Sequence, residues 1–335
     1  MRSRHRTRST AWPRAMAVLG GVAALAVIAH ACAPIVSRPD VMIGTASLTG
    51  IYYPLGGSMC RLLNLETSRH GLRCSEEPSS GSVAHIESLR RGRLDVGIVP
   101  SDVLADAMEG RGAFTSRGPT TGLRVLFAGP HDMLTVVTRK ELAIRTVAEV
   151  RGTRINIGNP GSRQRAGMDR VMAILGLRRS DFAEVRELPA AEQYRAFCDG
   201  ELDVIVYSVG HPDGLIQDVT RTCHGRLVDV SGPAIDRMLV EYREYERRMI
   251  PGGTYSDNPA DVRTFGVRAV VVTSPRVSET TAYEITRAVF DNFDAFRRLH
   301  PAFEALSVAE MVNAGVRAPV HAGALHYYRE RGWRP

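Results

Sequence analysis

The chain has 335 residues, 24% of them charged, and a formal net charge of +7. Five of the positive charges, Arg2, Arg4, Arg6, Arg8 and Arg14, fall in residues 1–37, which contain no Asp or Glu, so the remainder carries only +2. A charge that small excludes a nucleic-acid partner recruited by electrostatics, and the roughly 300 residues beyond the leader exceed one ordinary core and suit two domains of about 130–160 residues each.

Behind the basic leader, Met16 to Ile28 is an unbroken run of 13 apolar and small residues. That length fits the apolar region of a secretory signal and falls short of the ~20 residues a spanning helix needs. Ala29-His30-Ala31 supplies small residues at −3 and −1, which predicts a signal peptide over 1–31 and a periplasmic mature chain. An uncleaved N-terminal anchor and lipidation of Cys32 are the alternatives; Ala29-His30-Ala31 makes a poor lipobox. No later stretch is apolar enough to cross a bilayer.

The mature chain alternates strand and helix patterns. Val41 to Ile43 reads as a strand, and Tyr52, Leu55, Met59, Leu62 and Leu63 form one apolar helical face. Leu72 to Ser75 and Leu94 to Val99 read as strands. Ser79 to Ser82 and Ser101-Asp102 read as N-caps for helices over Val83 to Arg90 and Val103 to Met108, because such side chains accept from the free N–H groups of a first turn. Leu123 to Phe127 and Leu134 to Thr138 read as strands crossing to a second lobe. There the series restarts with a strand over Arg154 to Ile157, a Gly-rich turn over Gly158 to Ser162, and a helix over Ala166 to Leu175. Val185 to Leu188, helix Ala190 to Cys198, Leu202 to Tyr207 and Leu227 to Val230 continue it. Thr264 to Thr273 reads as a return strand, followed by helices over Glu279 to Leu299, Val308 to Asn313 and Gly323 to Arg329. The expected fold class is α/β, with two open α/β domains joined by hinge strands. Lobe I is expected over 38–139 and 263–335, and lobe II over 140–262.

An internal echo supports two similar lobes. Gly92-Arg-Leu-Asp-Val96 and Gly200-Glu-Leu-Asp-Val204 share one pattern, each after a helix and at the start of a strand. The mature chain also holds Cys60, Cys74, Cys198 and Cys223, and an exported chain with four cysteines is expected to be disulfide-bonded. Three pairings exist; the local ones, Cys60–Cys74 and Cys198–Cys223, are preferred. No Cys-x-x-Cys occurs and the histidines lack ligand spacing, so neither a metal nor a cofactor is expected.

Ligands of open α/β sheets sit beyond the carboxyl ends of strands. Those ends here carry Thr45 to Tyr53, Ser79 to Ser82, Ser101-Asp102, Asn159 to Arg165 and Tyr207 to Gly214, nearly all hydroxyl, amide or glycine residues. Helix starts of this kind present unpaired N–H groups and a partial positive charge, an anion-ready arrangement. Arg163 and Arg165, beside the turn at Gly161-Ser162, are the candidate counter-ions. Asp102 offers a partner for an ammonium, and His211 lies at a strand end facing the expected cleft. No Gly-x-Gly-x-x-Gly, Walker-type or Gly-x-Ser-x-Gly motif is present, and no nucleophile–base–acid set points to an enzyme.

Ile43-Gly-Thr-Ala-Ser-Leu-Thr-Gly-Ile-Tyr-Tyr-Pro-Leu-Gly-Gly57, Ser80-Gly-Ser-Val83, Ser101-Asp102, Gly158-Asn-Pro-Gly-Ser162 and Ile250-Pro-Gly-Gly253 together resemble the TAXI-type solute-binding proteins of TRAP transporters. The likeness runs from about residue 41 to the C-terminus and includes Thr264-Phe-Gly-Val267, His300-Pro-Ala-Phe303 and His321 to Gly332. It implies a two-lobed periplasmic binding protein of type II-like fold. It further implies a monomer without enzymatic activity that closes on a dicarboxylate, 2-oxoacid or acidic amino acid for a permease driven by an ion gradient. Position by position it implies ligand contacts at Thr45, Thr49, Gly50, Tyr52, Ser80, Ser82, Ser101, Asp102, Ser162, Arg165, Tyr207 and His211. The chain departs from the family at Ala46-Ser47 and Arg163, where glycines are usual, at His85, where Asn is common, and at Pro100, where Gln is common. A periplasmic sensory protein and a periplasmic hydrolase are the alternative functions.

Overall fold

A computed structural model describes residues 40–46, 50–79, 81–313 and 316–334. The 1–31 leader, Cys32, Thr49 and Ser80 lie outside the described residues. The first series of elements is β1 (Val41–Ala46), α1 (Tyr52–Leu65), α2 (Thr67–His70), β2 (Cys74–Pro78), α3 (Ser82–Arg90), β3 (Val96–Pro100) and α4 (Ser101–Glu109). Strand β4 (Arg124–Arg139) leads to a second series of β5 (Arg154–Asn156), α5 (Arg163–Leu175), β6 (Glu184–Arg186), α6 (Ala190–Cys198) and β7 (Val204–Val209). It continues with α7 (Gly214–Thr222), β8 (Gly225–Val228), α8 (Pro233–Glu241) and β9 (Tyr245–Ile250). Strand β10 (Val262–Thr273) returns to α9 (Glu279–Asp291), α10 (Phe293–Arg297), α11 (Val308–Val312) and α12 (Ala322–Glu330).

The strands join in the order β2-β1-β3-β10-β4-β7-β5-β6, with β8 paired to β4 and β9 to β10. Both ends of this path are parallel (β1 with β2 and β3, β5 with β6 and β7), whereas β4 and β10 run antiparallel through its middle. Two mixed α/β halves therefore share two long crossing strands. One core gathers Leu55, Met59 and Leu62 of α1, Val96, Ile98, Phe127 and Val271, and Ile285, Val289, Tyr327 and Tyr328 from the C-terminal helices. Another gathers Val136, Ile155, Met168, Val171, Val204, Val206 and Phe265. All five apolar positions read in α1 are buried, which is the physical reason the segment holds as a helix.

The sequence echo has a shared structural meaning. Asp95 accepts from the backbone N–H of Met42 at 2.9 Å and Asp203 from that of Arg154 at 2.9 Å. In return, the N–H groups of Asp95 and Asp203 donate to the carbonyls of Met42 and Arg154. Each aspartate thus fixes the register of a parallel strand pair at the equivalent step of its half.

Four local expectations need correction. The two strands read at 123–127 and 134–138 are one 16-residue strand. Gly129-Pro130, between those two segments, sits where the pairing between β4 and β10 slips from Val270↔Ala128 to Arg268↔His131, an irregularity that tolerates Pro inside a sheet. The helix expected over Glu279 to Leu299 is interrupted at Asn292, which leaves helical geometry at φ −109° and ψ 28°. The Ser-rich starts of α3 and α4 are capped differently from expectation: Gly81 and Pro100 hold the cap positions with no side-chain cap bond, and Ser101 and Asp102 lie inside the first turn. Strand β9 escaped the sequence reading because only Tyr245, at one end, and Ile250, at the other, are buried, while the charged Glu246, Arg247 and Arg248 and an exposed Met249 lie between.

His85 lies fully buried between β1 and β3, with Nδ1 2.9 Å from the Ile98 carbonyl and Nε2 2.7 Å from Ser79 Oγ. Gly44 makes room for it: a Cβ there would lie 2.7 Å from the imidazole.

The disulfides are Cys60–Cys74, with Cα atoms 4.9 Å apart, and Cys198–Cys223, 5.2 Å apart. Each ties two elements of one half: α1 to β2, and the end of α6 to the end of α7. Loops of 14 and 25 residues restrict the unfolded chain enough to stabilise by about 3 kcal/mol each. Cys198→Ser is expected to lower the stability seen in urea denaturation by that amount, and an unchanged midpoint would refute the contribution.

Candidate functional site

The crossing strand β4 carries Asp132, with 5% exposure, at the junction of the halves. From the first half, β3 runs into α4 and delivers Asp102, and α1 delivers Tyr52. From the second half, the first residue of α5 is Arg163, β7 delivers Ser208 and β9 delivers Tyr245. Six side chains distant in sequence meet here.

Arg163 is the centre. Its Nη1 donates to Asp102 Oδ2 at 3.0 Å and to Oδ1 at 3.3 Å, and its Nε lies 3.6 Å from Asp132 Oδ2. That Nε is buried without a hydrogen-bond partner among the described residues. Asp102 also accepts from Tyr245 OH at 2.8 Å and from its neighbour Val103 N–H at 2.8 Å. Asp132 accepts from Ser208 Oγ at 2.5 Å and from Tyr52 OH at 3.4 Å. Arg170 of α5 stacks over Tyr242 at 4.1 Å and reaches Tyr245 at 5.5 Å, bracing the tyrosine that holds Asp102.

The two carboxyls differ in electrostatic setting. Burial would raise Asp102, but the Arg163 guanidinium and the hydrogen bonds from Tyr245 and Val103 outweigh it and hold the group below the ordinary carboxylate range. At Asp132 burial dominates over Arg163 and Ser208, and the proximity of Asp102 adds to it, so its pKa is raised. Burial opposes the charge on Arg163, yet the two aspartates more than offset it and keep the guanidinium protonated. The triad is thus a buried cation between two acids of unequal strength, with hydroxyl donors around it.

A raised carboxyl pKa has a definite stability signature. The contribution of Asp132 is fully present below its unfolded pKa of about 3.9 and is lost as pH rises through the higher folded value. Asp132→Asn is therefore expected to raise the melting temperature at pH 7–8 and to lose that advantage as pH falls toward 4. A variant less stable at neutral pH would contradict this.

The other residues singled out from sequence have mixed placements. Thr45 is buried at the end of β1, and its hydroxyl has no partner among the described residues. Gly50 precedes α1 and its carbonyl accepts from Tyr53 N–H at 3.3 Å. Ser82 is the half-buried first residue of α3. Ser101 Oγ donates to the Glu244 carbonyl at 2.9 Å and accepts from Arg268 N–H, linking α4 to β9 and β10. Ser162 caps α5 by accepting from Arg165 N–H at 3.2 Å.

Three residues depart from the expected cleft lining. The Arg165 guanidinium is held by Asp169 at 2.8 Å and Glu187 at 2.5 Å, one turn along α5 and on the β6 side. Tyr207 is 1% exposed in a core cluster, its hydroxyl 3.4 Å from the Ala190 carbonyl. His211 has both ring nitrogens engaged, Nε2 with Thr135 Oγ1 at 2.9 Å and Nδ1 with Tyr255 OH at 2.6 Å, and burial lowers its pKa to about 4. Neither nitrogen is free to face a ligand.

Asp132, Ser208 and Tyr245 were missed. Asp132 lies between the two segments read as separate strands and belongs to the single strand β4. Ser208 follows Tyr207, and strand alternation sends adjacent side chains to opposite faces, so a buried Tyr207 puts Ser208 on the face of Asp132. Tyr245 belongs to the unread strand β9.

Among the described residues no group of three or more His, Cys, Asp or Glu is arranged to hold a metal ion, and no helix is long and apolar enough to cross a membrane. A model of the NMT1-like family matches residues 43–332. The periplasmic aliphatic sulphonate binding protein SsuA from Escherichia coli aligns with 15% identity over 89% of this chain and 80% of its own, at a TM-score of 0.46. A TRAP periplasmic solute binding protein from Polaromonas sp. JS666, bound to D-erythronate, aligns with 15% identity over 88% of this chain and 92% of its own, at 0.44. An ancestral arginine-binding protein bound to arginine aligns with 13% identity over 79% of this chain and 98% of its own, at 0.45.

Proposed function

This chain belongs to the NMT1-like family, a family of periplasmic binding proteins, and on that premise we propose that it is an exported, two-lobed receptor of type II-like fold for a small carboxylate. Its lobes are residues 38–139 with 263–335, and residues 140–262, hinged at β4 and β10. The receptor serves a TRAP-type permease driven by an ion gradient, as the TAXI-like motifs imply. Cleavage of the 1–31 leader and the two disulfides fit a periplasmic setting.

One observation carries this reading: the buried Asp102–Arg163–Asp132 triad, ringed by Tyr52, Ser208 and Tyr245, at the meeting of both halves. Such a site suits a solute that carries both charges. The carboxylate of the ligand would take the unpartnered Nε of Arg163 and the helix starts of α4 and α5. An amino group on the same ligand would take Asp132, the acid less strongly held by the guanidinium. Of the carboxylates implied by the motifs, an acidic amino acid is therefore favoured over a plain dicarboxylate or 2-oxoacid. The counter-charge is Arg163, since Arg165 is already committed to Asp169 and Glu187.

A thermal-shift panel of amino acids, dicarboxylates, 2-oxoacids and neutral sugars tests the class, because a ligand that binds only the folded chain raises the melting temperature by mass action. Arg165→Ala should leave the affinity for the best carboxylate within about twofold, well under the ~1.4 kcal/mol that a tenfold change represents. A hit among neutral sugars alone would refute the class, and a large loss in Arg165→Ala would refute the assignment of the counter-charge.

A further inference from the structure

Ser101 and Asp102 open the first turn of α4, on the first half, and both side chains reach the second half. Ser101 Oγ donates to the Glu244 carbonyl, just before β9, at 2.9 Å, and accepts from the Arg268 N–H of β10 at 3.2 Å. One residue on, Asp102 Oδ2 accepts from Tyr245 OH at 2.8 Å, and both its oxygens accept from Arg163 Nη1, at 3.0 and 3.3 Å. Consecutive residues of one half thus hold consecutive residues of the other.

The bonding capacity of Asp102 is used up by these contacts. An ionised carboxylate offers about four lone-pair sites. Oδ1 takes Val103 N–H and Arg163 Nη1, and Oδ2 takes Arg163 Nη1 and Tyr245 OH. Ser101 spends its only hydroxyl proton on Glu244. The receiving side is braced within the second half. Arg163 and Arg170 lie seven residues apart on α5, two turns along one face. Arg163 meets Asp102, while Arg170 stacks over Tyr242 at 4.1 Å and reaches Tyr245 at 5.5 Å. The halves also approach closely at Gly210, after β7, where a Cβ would lie 3.2 Å from Ile51 Cγ1 and 3.3 Å from Ala302 Cβ. Hinge strands leave two halves free to rotate, so bonds made beside β4 and β10 set the angle between them.

We propose that Ser101 and Asp102 are a catch between the halves, gripping Glu244, Tyr245 and Arg163 in the free protein, and that the solute does not bond to either residue. Its purpose rests on the receptor reading: the catch keeps Arg163 aligned beside Asp132 before a solute arrives, so less ordering is left for binding to accomplish. The catch itself is a property of the free chain and is tested without any solute.

The test is small-angle X-ray scattering of the mature protein, with far-UV circular dichroism to confirm that each variant is folded. Asp102→Asn should shift the radius of gyration upward, because the amide cannot hold the guanidinium as a carboxylate does. The double variant Ser101→Ala with Tyr245→Phe should shift it the same way, and decides alone if Asp102→Asn does not fold. Asp203→Asn removes a carboxylate that pairs with Arg154 inside the second half, and should lower the melting temperature at an unchanged radius. A native radius in the folded catch variants overturns the proposal. Equal expansion in Asp203→Asn overturns it as well, since that would mark general loosening and not release of one half from the other. Failure of the solute panel leaves this result standing, and a native radius here leaves the panel standing.

Discussion

Arg163→Ala is expected to destabilise the folded chain by about 3–5 kcal/mol at neutral pH, because it leaves two buried carboxylates without their cation. For a chain of this length the melting temperature should fall on the order of 10 °C. Position decides this: Arg163 Nη1 bridges to Asp102 at 3.0 Å, its Nε faces Asp132 at 3.6 Å, and among the described residues no other cation pairs with either acid. The deficit has a pH dependence of known sign. In the native protein Asp102 sits below its ordinary pKa, so its stabilising contribution is present above about pH 3.9 and fades as pH falls toward the depressed folded value. In the variant that contribution is absent, and both acids take up protons more readily, so the gap between the two proteins should narrow toward pH 4. Urea denaturation at pH 7 and pH 4 reads both effects. A loss below about 1 kcal/mol at pH 7 would show that the guanidinium is not what neutralises the pair.

Asp132→Asn is expected to weaken the proposed amino acid ligand by about 2–5 kcal/mol, the effect of removing one member of a buried charge pair. That corresponds to a loss of roughly 30-fold or more. The same substitution should raise the melting temperature of the free protein at neutral pH, since burial makes the ionised carboxylate unfavourable there. Stability up and affinity down in one variant is the pattern of a group kept for function at the expense of the fold. A purely structural aspartate would lower stability and leave affinity alone, so calorimetry and melting curves on this one variant separate the two roles.

Much of the architecture was legible because it follows from local pattern. The apolar face of α1 and the repeated Gly-x-Leu-Asp-Val each act over a few residues, and the structure gives each a role. The site was legible only in part, for a physical reason. Tyr52, Asp102 and Arg163 stand at helix starts, where residue type announces an exposed donor or acceptor, and they do meet. Asp132 and Tyr245 stand within strands, where only the register decides which face a side chain takes. Register depends on long-range pairing of β4 with β10 and β9, which no local pattern encodes. The contact implied at Arg165 did not foresee Asp169 and Glu187, since one lies four residues ahead on the same helix but the other is brought by β6 packing. His211 and Tyr207 misled for the converse reason: a polar residue at a strand end can satisfy itself internally, as His211 does with Thr135 and Tyr255.

The most direct test of the receptor function is a calorimetric titration of the mature protein with the carboxylate that ranks first in the thermal-shift panel. The predicted result is saturable one-to-one heat, abolished or weakened at least tenfold in Asp132→Asn, with the ligand recovered chemically unchanged. Absence of binding by every carboxylate and amino acid, or conversion of the ligand to a product, would contradict it.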